Sequence, residues 1–219
     1  MASRRFDLVV FDWDGTVVDS TAMIALSIQK AAADLGLTVP TMEQASHVIG
    51  LGLHDALARA VPELTSGRIE EFSARYRYHW FACEHEIVLF EGVREMLVEL
   101  AERGVPLAVA TGKSRRGLAR AFDQTGLGAL FESSRCADET HPKPHPAMLL
   151  ELCEELAVEL PRTVMIGDTT HDLEMAAAAG AAGIGVTYGA HPRDQLAACA
   201  PLALVGNVVE LRHWLDTNR

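Results

Sequence analysis

The stretch Leu8-Val9-Val10-Phe11-Asp12-Trp13-Asp14-Gly15-Thr16 constrains the fold more than any other. Its four consecutive bulky apolar residues read as a short strand buried on both faces, the kind found in a parallel sheet. The run then stops at two aspartates, a glycine and a hydroxyl. A buried charge without a partner is costly, so Asp12 and Asp14 are expected at the strand's C-terminal edge, facing a cleft. In an open parallel sheet that edge is where ligands bind.

The chain beyond Phe90 supplies neighbours for such a strand. Apolar runs at 105–111, 163–168, 182–187 and 201–206 alternate with helical periodicity at about 92–103, 114–125, 146–157, 169–179, near 193 and at the end of the chain. That alternation predicts βαβ units, hence a Rossmann-like α/β parallel sheet covered on both faces. Residues 20–35, 41–61 and 66–86 have helical periodicity, and no strand-like run occurs between about 20 and 86. The expected organisation is an α/β core of residues 1–16 and 88–219, with an all-helical cap domain of residues 17–87 inserted after the first strand.

Thirty acids against 19 Lys and Arg give a formal charge of −11. No basic stripe offers a footprint for nucleic acid, and anionic membranes are disfavoured for the same reason. The longest uncharged stretch, at 175–190, is too rich in Ala and Gly to span a bilayer. The four cysteines are scattered without metal-ligand spacing and read as reduced thiols. A soluble cytoplasmic protein, monomeric or homodimeric, is the expectation.

Three further polar clusters adjoin predicted strands. "ATGKS" ends a strand at Thr111 and offers Gly112 and Lys113 before a helix. "HPKPHP" sets Lys143 in a segment stiffened by prolines. "MIGDTTHD" ends a strand near Asp168, and a helix starting near Thr169 returns Asp172 to the same side. Asp12, Asp14, Asp168 and Asp172 in one cleft would repel one another without a cation. A hard, oxygen-liganded ion, Mg²⁺ above all, resolves that repulsion. Such an ion beside a lysine, a hydroxyl and helix-start N–H groups makes a site for a phosphoryl group. A carboxylate nucleophile beside a second carboxylate then points to phosphoryl transfer through an aspartyl phosphate.

Taken together, "FDWDGTVVDS", "ATGKS", "KPHP" and "GDTTHD" resemble the haloacid dehalogenase-like hydrolases, specifically the phosphoglycolate phosphatase-like branch with a helical cap. The resemblance covers essentially the whole chain. It implies Asp12 as nucleophile and Mg²⁺ ligand, and Asp14 as general acid and base with its backbone carbonyl on Mg²⁺. It further implies Thr111 and Lys143 on the phosphoryl oxygens, and Asp168 and Asp172 on the metal. Dehalogenating members lack an acid at the position of Asp14, so a phosphoryl-transfer member is implied. Gly112 departs from the pattern, since many members carry Asn there.

The "HVIGLGLHD" bend at 47–55 is expected to bring Gly50 to the substrate, as the specificity loop does in capped relatives. His145 and His171 are expected to border the cleft, and the aromatics of "YRYHWFACEHE" to pack in a core. A P-loop is excluded because its first glycine would fall on Leu107. The resulting expectation is a Mg²⁺-dependent phosphatase for a small phosphorylated metabolite, phosphoglycolate first and sugar phosphates next. A phosphosugar mutase with the same catalytic residues is one alternative. A catalytically silent metabolite-binding module is another, though it would have no need of Asp14.

Overall fold

The computed structural model describes residues 6–218. The first strand, β1 (Leu8–Phe11), leads through a tight turn to the two-residue strand β2 (Val18–Asp19). Four helices follow: α1 (Thr21–Asp34), α2 (Met42–His47), α3 (Leu53–Ala60) and α4 (Ile69–Cys83). The chain returns through β3 (Val88–Leu89), α5 (Val93–Glu102), β4 (Leu107–Thr111), α6 (Arg115–Thr125) and β5 (Ser133–Cys136). It continues with α7 (Ala147–Glu155), β6 (Thr163–Gly167), α8 (Thr170–Ala179) and β7 (Ala182–Val186), and closes with α9 (Arg193–Ala198), β8 (Ala203–Val205) and α10 (Val208–Asn218).

Six strands form one sheet in the order β5-β4-β1-β6-β7-β8, with every pairing parallel. Strand β1 lies between β4 and β6, so the chain leaves it on one side and resumes on the other. This is the switch point at which ligands bind such sheets. Alternation along β1 serves both faces. Val9 and Phe11 join a cluster with Met96, Leu97, Leu211 and Leu215, whereas Leu8 and Val10 join Met148, Leu152, Met175 and Ala176. Each such fully buried side chain contributes about 1.5–3 kcal/mol relative to exposure.

The helical insertion has a hydrophobic centre of its own, including Ile28, Leu57 and Phe72. Helix α1 packs against α2 and α4, and α3 packs against α4. The chain enters and leaves this unit through the antiparallel β2–β3 pair, Val18 opposite Leu89 and Asp19 opposite Val88. No helix among the described residues is long and apolar enough to cross a membrane.

The structure departs from the sequence reading at three places. The helix expected over 41–61 is two helices, because the chain bends at Val48–Gly52, where Gly50 has φ +92°. The two-residue ladder of β2 and β3 went unread just outside the segment, about 20–86, read as free of strands; it is too short to leave an apolar period. Strand β5 also went unread, since Ser133, Ser134 and Arg135 carry no apolar alternation. It is an edge strand. Charge protects it: Arg115 donates to the Ser134 hydroxyl and carbonyl, and Arg135 pairs with Glu151 and Glu155.

Candidate active site

The C-terminal edge of the sheet gathers every core residue singled out from the motifs. Asp12 and Asp14 follow β1, Thr111 ends β4, Asp168 follows β6, and Asp172 sits in the first turn of α8. The Asp12 N–H donates to the Ile166 carbonyl at 2.8 Å, fixing the ends of β1 and β6 together. Lys143 arrives from the segment between β5 and α7. Its Nζ lies 2.6 Å from Asp12 Oδ1 and 2.6 Å from Asp172 Oδ1, with all three side chains buried.

Asp168 Oδ1 accepts from the Thr16 hydroxyl at 3.0 Å, and its Oδ2 accepts from the Ala190 N–H at 2.7 Å. Asp172 Oδ2 accepts from the Thr169 N–H at 3.1 Å and hydroxyl at 2.7 Å, closing a capping box at the start of α8. Asp12 Oδ2 is buried and has no hydrogen-bond partner. Asp14 is held differently: Oδ1 accepts from the Ser20 hydroxyl at 2.7 Å, and Oδ2 pairs with Lys113 Nζ at 2.9 Å.

These placements set the electrostatics. Burial pushes the Asp12 carboxyl up to about 7, with Lys143 opposing and Asp172 and Asp14 adding to the rise. Burial also raises Asp168 well above its ordinary value, helped by Asp12 and Asp172. Burial alone would push Lys143 down, yet Asp12 and Asp172 hold its ammonium above the usual lysine range. One oxygen from each of Asp12, Asp168 and Asp172 lies within 4.8 Å of the others. Three buried carboxylates against one ammonium, with an orphaned oxygen on Asp12, fit a small divalent cation with oxygen ligands. The Asp14 side chain stands outside this cluster.

Glycines give the acids their room. A Cβ on Gly15 or Gly189 would overlap the Asp168 carboxylate, and one on Gly167 would overlap that of Asp172. Gly15 also has φ +81°, a backbone region that β-carbons disfavour.

A cavity of about 680 Å³ opens at this edge, lined by Asp12, Asp14, Thr111, Gly112 and Lys113 from the core and by Gly50, Leu57 and Trp80 from the insertion. Lys143, Asp168 and Asp172 do not line it.

The chain is similar to known proteins over most of its length. Residues 9–186 match the family model described as haloacid dehalogenase-like hydrolase. The chain belongs to this family. It is 37% identical over 210 residues to a protein of Dickeya dadantii named "Probable phosphatase IndB", spanning 93% of this chain and 91% of that one. It is 33% identical over 198 residues to a phosphoglycolate phosphatase of Haemophilus influenzae (strain 86-028NP), spanning 85% and 88% respectively. A crystal structure of a predicted phosphoglycolate phosphatase from Haemophilus somnus superposes with a TM-score of 0.84 at 28% identity, covering 94% of this chain and 96% of that one.

Gly112, the departure from the haloacid dehalogenase-like pattern, has a structural reason in this chain. A Cβ there would lie 2.5 Å from the Leu51 carbonyl oxygen and 2.6 Å from that of Gly50. The bend of the insertion therefore rests on Gly112, and the motif glycine is the contact that lets it approach. Gly112→Asn is expected to hold the bend off the core and raise KM, with the chain still folded; steady-state kinetics and circular dichroism check both. An unchanged KM would mean that this contact does not govern closure.

Sequence reasoning missed several residues. Ser20 and Thr16 lie in the "DGTVVDS" motif but gave no signal of contacting Asp14 and Asp168. Lys113 was singled out in "ATGKS", but neither its N–H bond to the Thr111 hydroxyl at 3.2 Å nor its pairing with Asp14 was read. Tyr76, Trp80 and Phe81 line the cavity, so part of the aromatic segment does not serve a core alone.

The histidine expectation is corrected, since neither His145 nor His171 lines the cavity. His145 packs against His141 with ring centroids 4.5 Å apart. The Nε2 atoms of His171 and His191 each donate to the His47 carbonyl at 3.1 Å, joining core to insertion. The Thr170 N–H donates to His191 Nδ1 at 3.0 Å, which requires a neutral ring, and burial, with help from His171, pushes His191 down to about 4.

Proposed function

We propose that this chain is a Mg²⁺-dependent phosphomonoester hydrolase that works through an aspartyl phosphate on Asp12. The observation that carries the reading is the contrast between two carboxylates at one cavity. Asp12 has one oxygen held by Lys143 and the other unpartnered, whereas both Asp14 oxygens are occupied, by Ser20 and Lys113. Two acids in unlike surroundings suit two roles. An Asp12 oxygen attacks phosphorus while Asp14 gives a proton to the departing alcohol oxygen. Asp14 then takes a proton from water as that water attacks the phosphorus of the acyl phosphate, releasing phosphate and restoring Asp12.

The Thr111 hydroxyl and the N–H groups after it are assigned to the phosphoryl oxygens. Lys143 orients Asp12 and offsets its charge. Asp12, Asp168 and Asp172, with the Asp14 backbone carbonyl, would hold the ion. Bound there, Mg²⁺ neutralises developing charge on the phosphoryl oxygens. Residues 17–87 are assigned as a mobile cap on a core of 1–16 and 88–219, with the β2–β3 pair as its hinge, so that closure excludes water during transfer. The substrate is a small phosphorylated metabolite; phosphoglycolate, after the printed names of the relatives, and sugar phosphates are the first esters to assay. A cytoplasmic location accords with the free thiols of all four cysteines.

The test is phosphate release from a panel of such esters. Chelator is expected to stop it, Mg²⁺ to restore it, and Ca²⁺ to inhibit, being larger and laxer in geometry. Asp168→Ala is expected to shift the Mg²⁺ dependence to higher concentration more than Asp172→Ala does. Undiminished release in chelator would sink the metal assignment.

A further inference from the structure

The cavity's walls identify the class of alcohol released. Its volume of about 680 Å³ falls in the range, about 300–1,000 Å³, that takes drug-sized ligands. A phosphorylated two-carbon acid would leave most of that space unfilled. The insertion contributes a largely apolar wall, with Ile24 and Ile28 from α1, Leu53 and Leu57 from α3, and Tyr76 and Trp80 from α4, while Arg77, Glu84 and His85 also line the cavity.

Lys113 and Arg120, the lining Lys and Arg residues that are not exposed, are already paired. Lys113 pairs with Asp14 at 2.9 Å and lies 4.7 Å from the centroid of the Trp80 ring. Arg120 pairs with Glu84 and covers Phe81, and Arg77 pairs with Glu70 at 3.8 Å. Arg116 is exposed at the rim. No unpaired cation among the described residues is therefore buried in the cavity to receive a second carboxylate. Tyr76 adds one polar group. Its hydroxyl has no hydrogen-bond partner among the described residues, and Asp14 is near enough to help burial raise its pKa.

We propose that the natural ester carries, beyond its phosphate, a bulky apolar group of ring size that fills the space between α1, α3 and α4. The Tyr76 hydroxyl is then a donor for a substrate oxygen within the cavity. This assignment rests on the phosphatase reading and narrows it. Apolar surface brought into such a pocket contributes about 25 cal/mol per Å², and a two-carbon acid offers almost none.

The experiment compares ethyl phosphate, phosphoglycolate, 2-phenylethyl phosphate and 2-cyclohexylethyl phosphate with Mg²⁺. The simple alcohols among these leave with similar basicity, so differences report binding of the remote group. Both ring esters are expected to exceed ethyl phosphate and phosphoglycolate by at least about tenfold in kcat/KM. Trp80→Ala is expected to remove most of that advantage through KM. Phosphoglycolate matching or exceeding the ring esters, or equal rates for ethyl and ring esters, would overturn the inference while leaving the hydrolase intact. Failure of every ester, with Mg²⁺ present, would overturn the phosphatase reading itself.

Discussion

Asp12→Asn is expected to reduce turnover by a factor on the order of 10⁴ or more, as removal of a nucleophile from a concerted site does. An amide cannot form the acyl phosphate. The fold should survive, because the asparagine oxygen can still accept from Lys143 and the site loses one of three crowded carboxylates. The pH dependence of stability gives a second readout. Burial raises Asp12 to about 7 from an ordinary 3.8. Below the ordinary value both folded and unfolded chains hold the proton, and the substitution changes little. As pH rises toward 7 the unfolded chain ionises while the folded one resists, so wild-type stability is lost over that window. In chelator, the stability of Asp12→Asn relative to wild type should therefore increase from pH 4 to pH 7. Denaturant titrations at the two pH values check it, and a difference of opposite sign would contradict the electrostatic account.

Lys143→Met should be the most destabilising single change near the site. The ammonium touches both Asp12 and Asp172 at 2.6 Å, and its side chain is fully buried. Removing one partner of a buried ion pair costs about 3–5 kcal/mol, because the remaining charge is stranded. Here two carboxylates would be stranded together beside Asp168. Added Mg²⁺ is expected to return part of the stability but not the activity, since Asp12 would no longer be oriented. Chemical denaturation with and without Mg²⁺ measures this. A loss below about 1 kcal/mol would place Lys143 among exposed pairs of little consequence, against its burial.

The core was legible because β1, β4 and β6 are apolar runs that each end in a polar motif. Asp12, Thr111 and Asp168 were thus placed at one sheet edge from the sequence, and the structure puts them there. Lys143 was read from its setting between prolines, but its pairing with Asp12 and Asp172 arises from a separation of 131 residues along the chain between Lys143 and Asp12. No local period encodes such a contact. Strand β5 was hidden because its stability comes from an edge position and arginine pairs, so it needs no apolar alternation. The pocket was hidden for the opposite reason. Tyr76 and Trp80 sit at helical spacing, and that spacing is the same whether an aromatic faces packed helices or an open cavity. Gly112 was visible only as a departure from a pattern; its meaning depends on the Gly50 and Leu51 carbonyls that rest against it.

The central claim is that phosphorus becomes bonded to Asp12. Its most direct test is acid quenching of the enzyme within a turnover of a phosphate ester with Mg²⁺, followed by mass spectrometry of the peptide containing Asp12 and Asp14. The account predicts a phosphoryl group on Asp12, absent from Asp12→Asn and longer-lived once formed in Asp14→Asn, where the hydrolytic water lacks its base. Phosphate release with no phosphoryl group on Asp12 at any quench time, or a phosphoryl group on another residue, would contradict it.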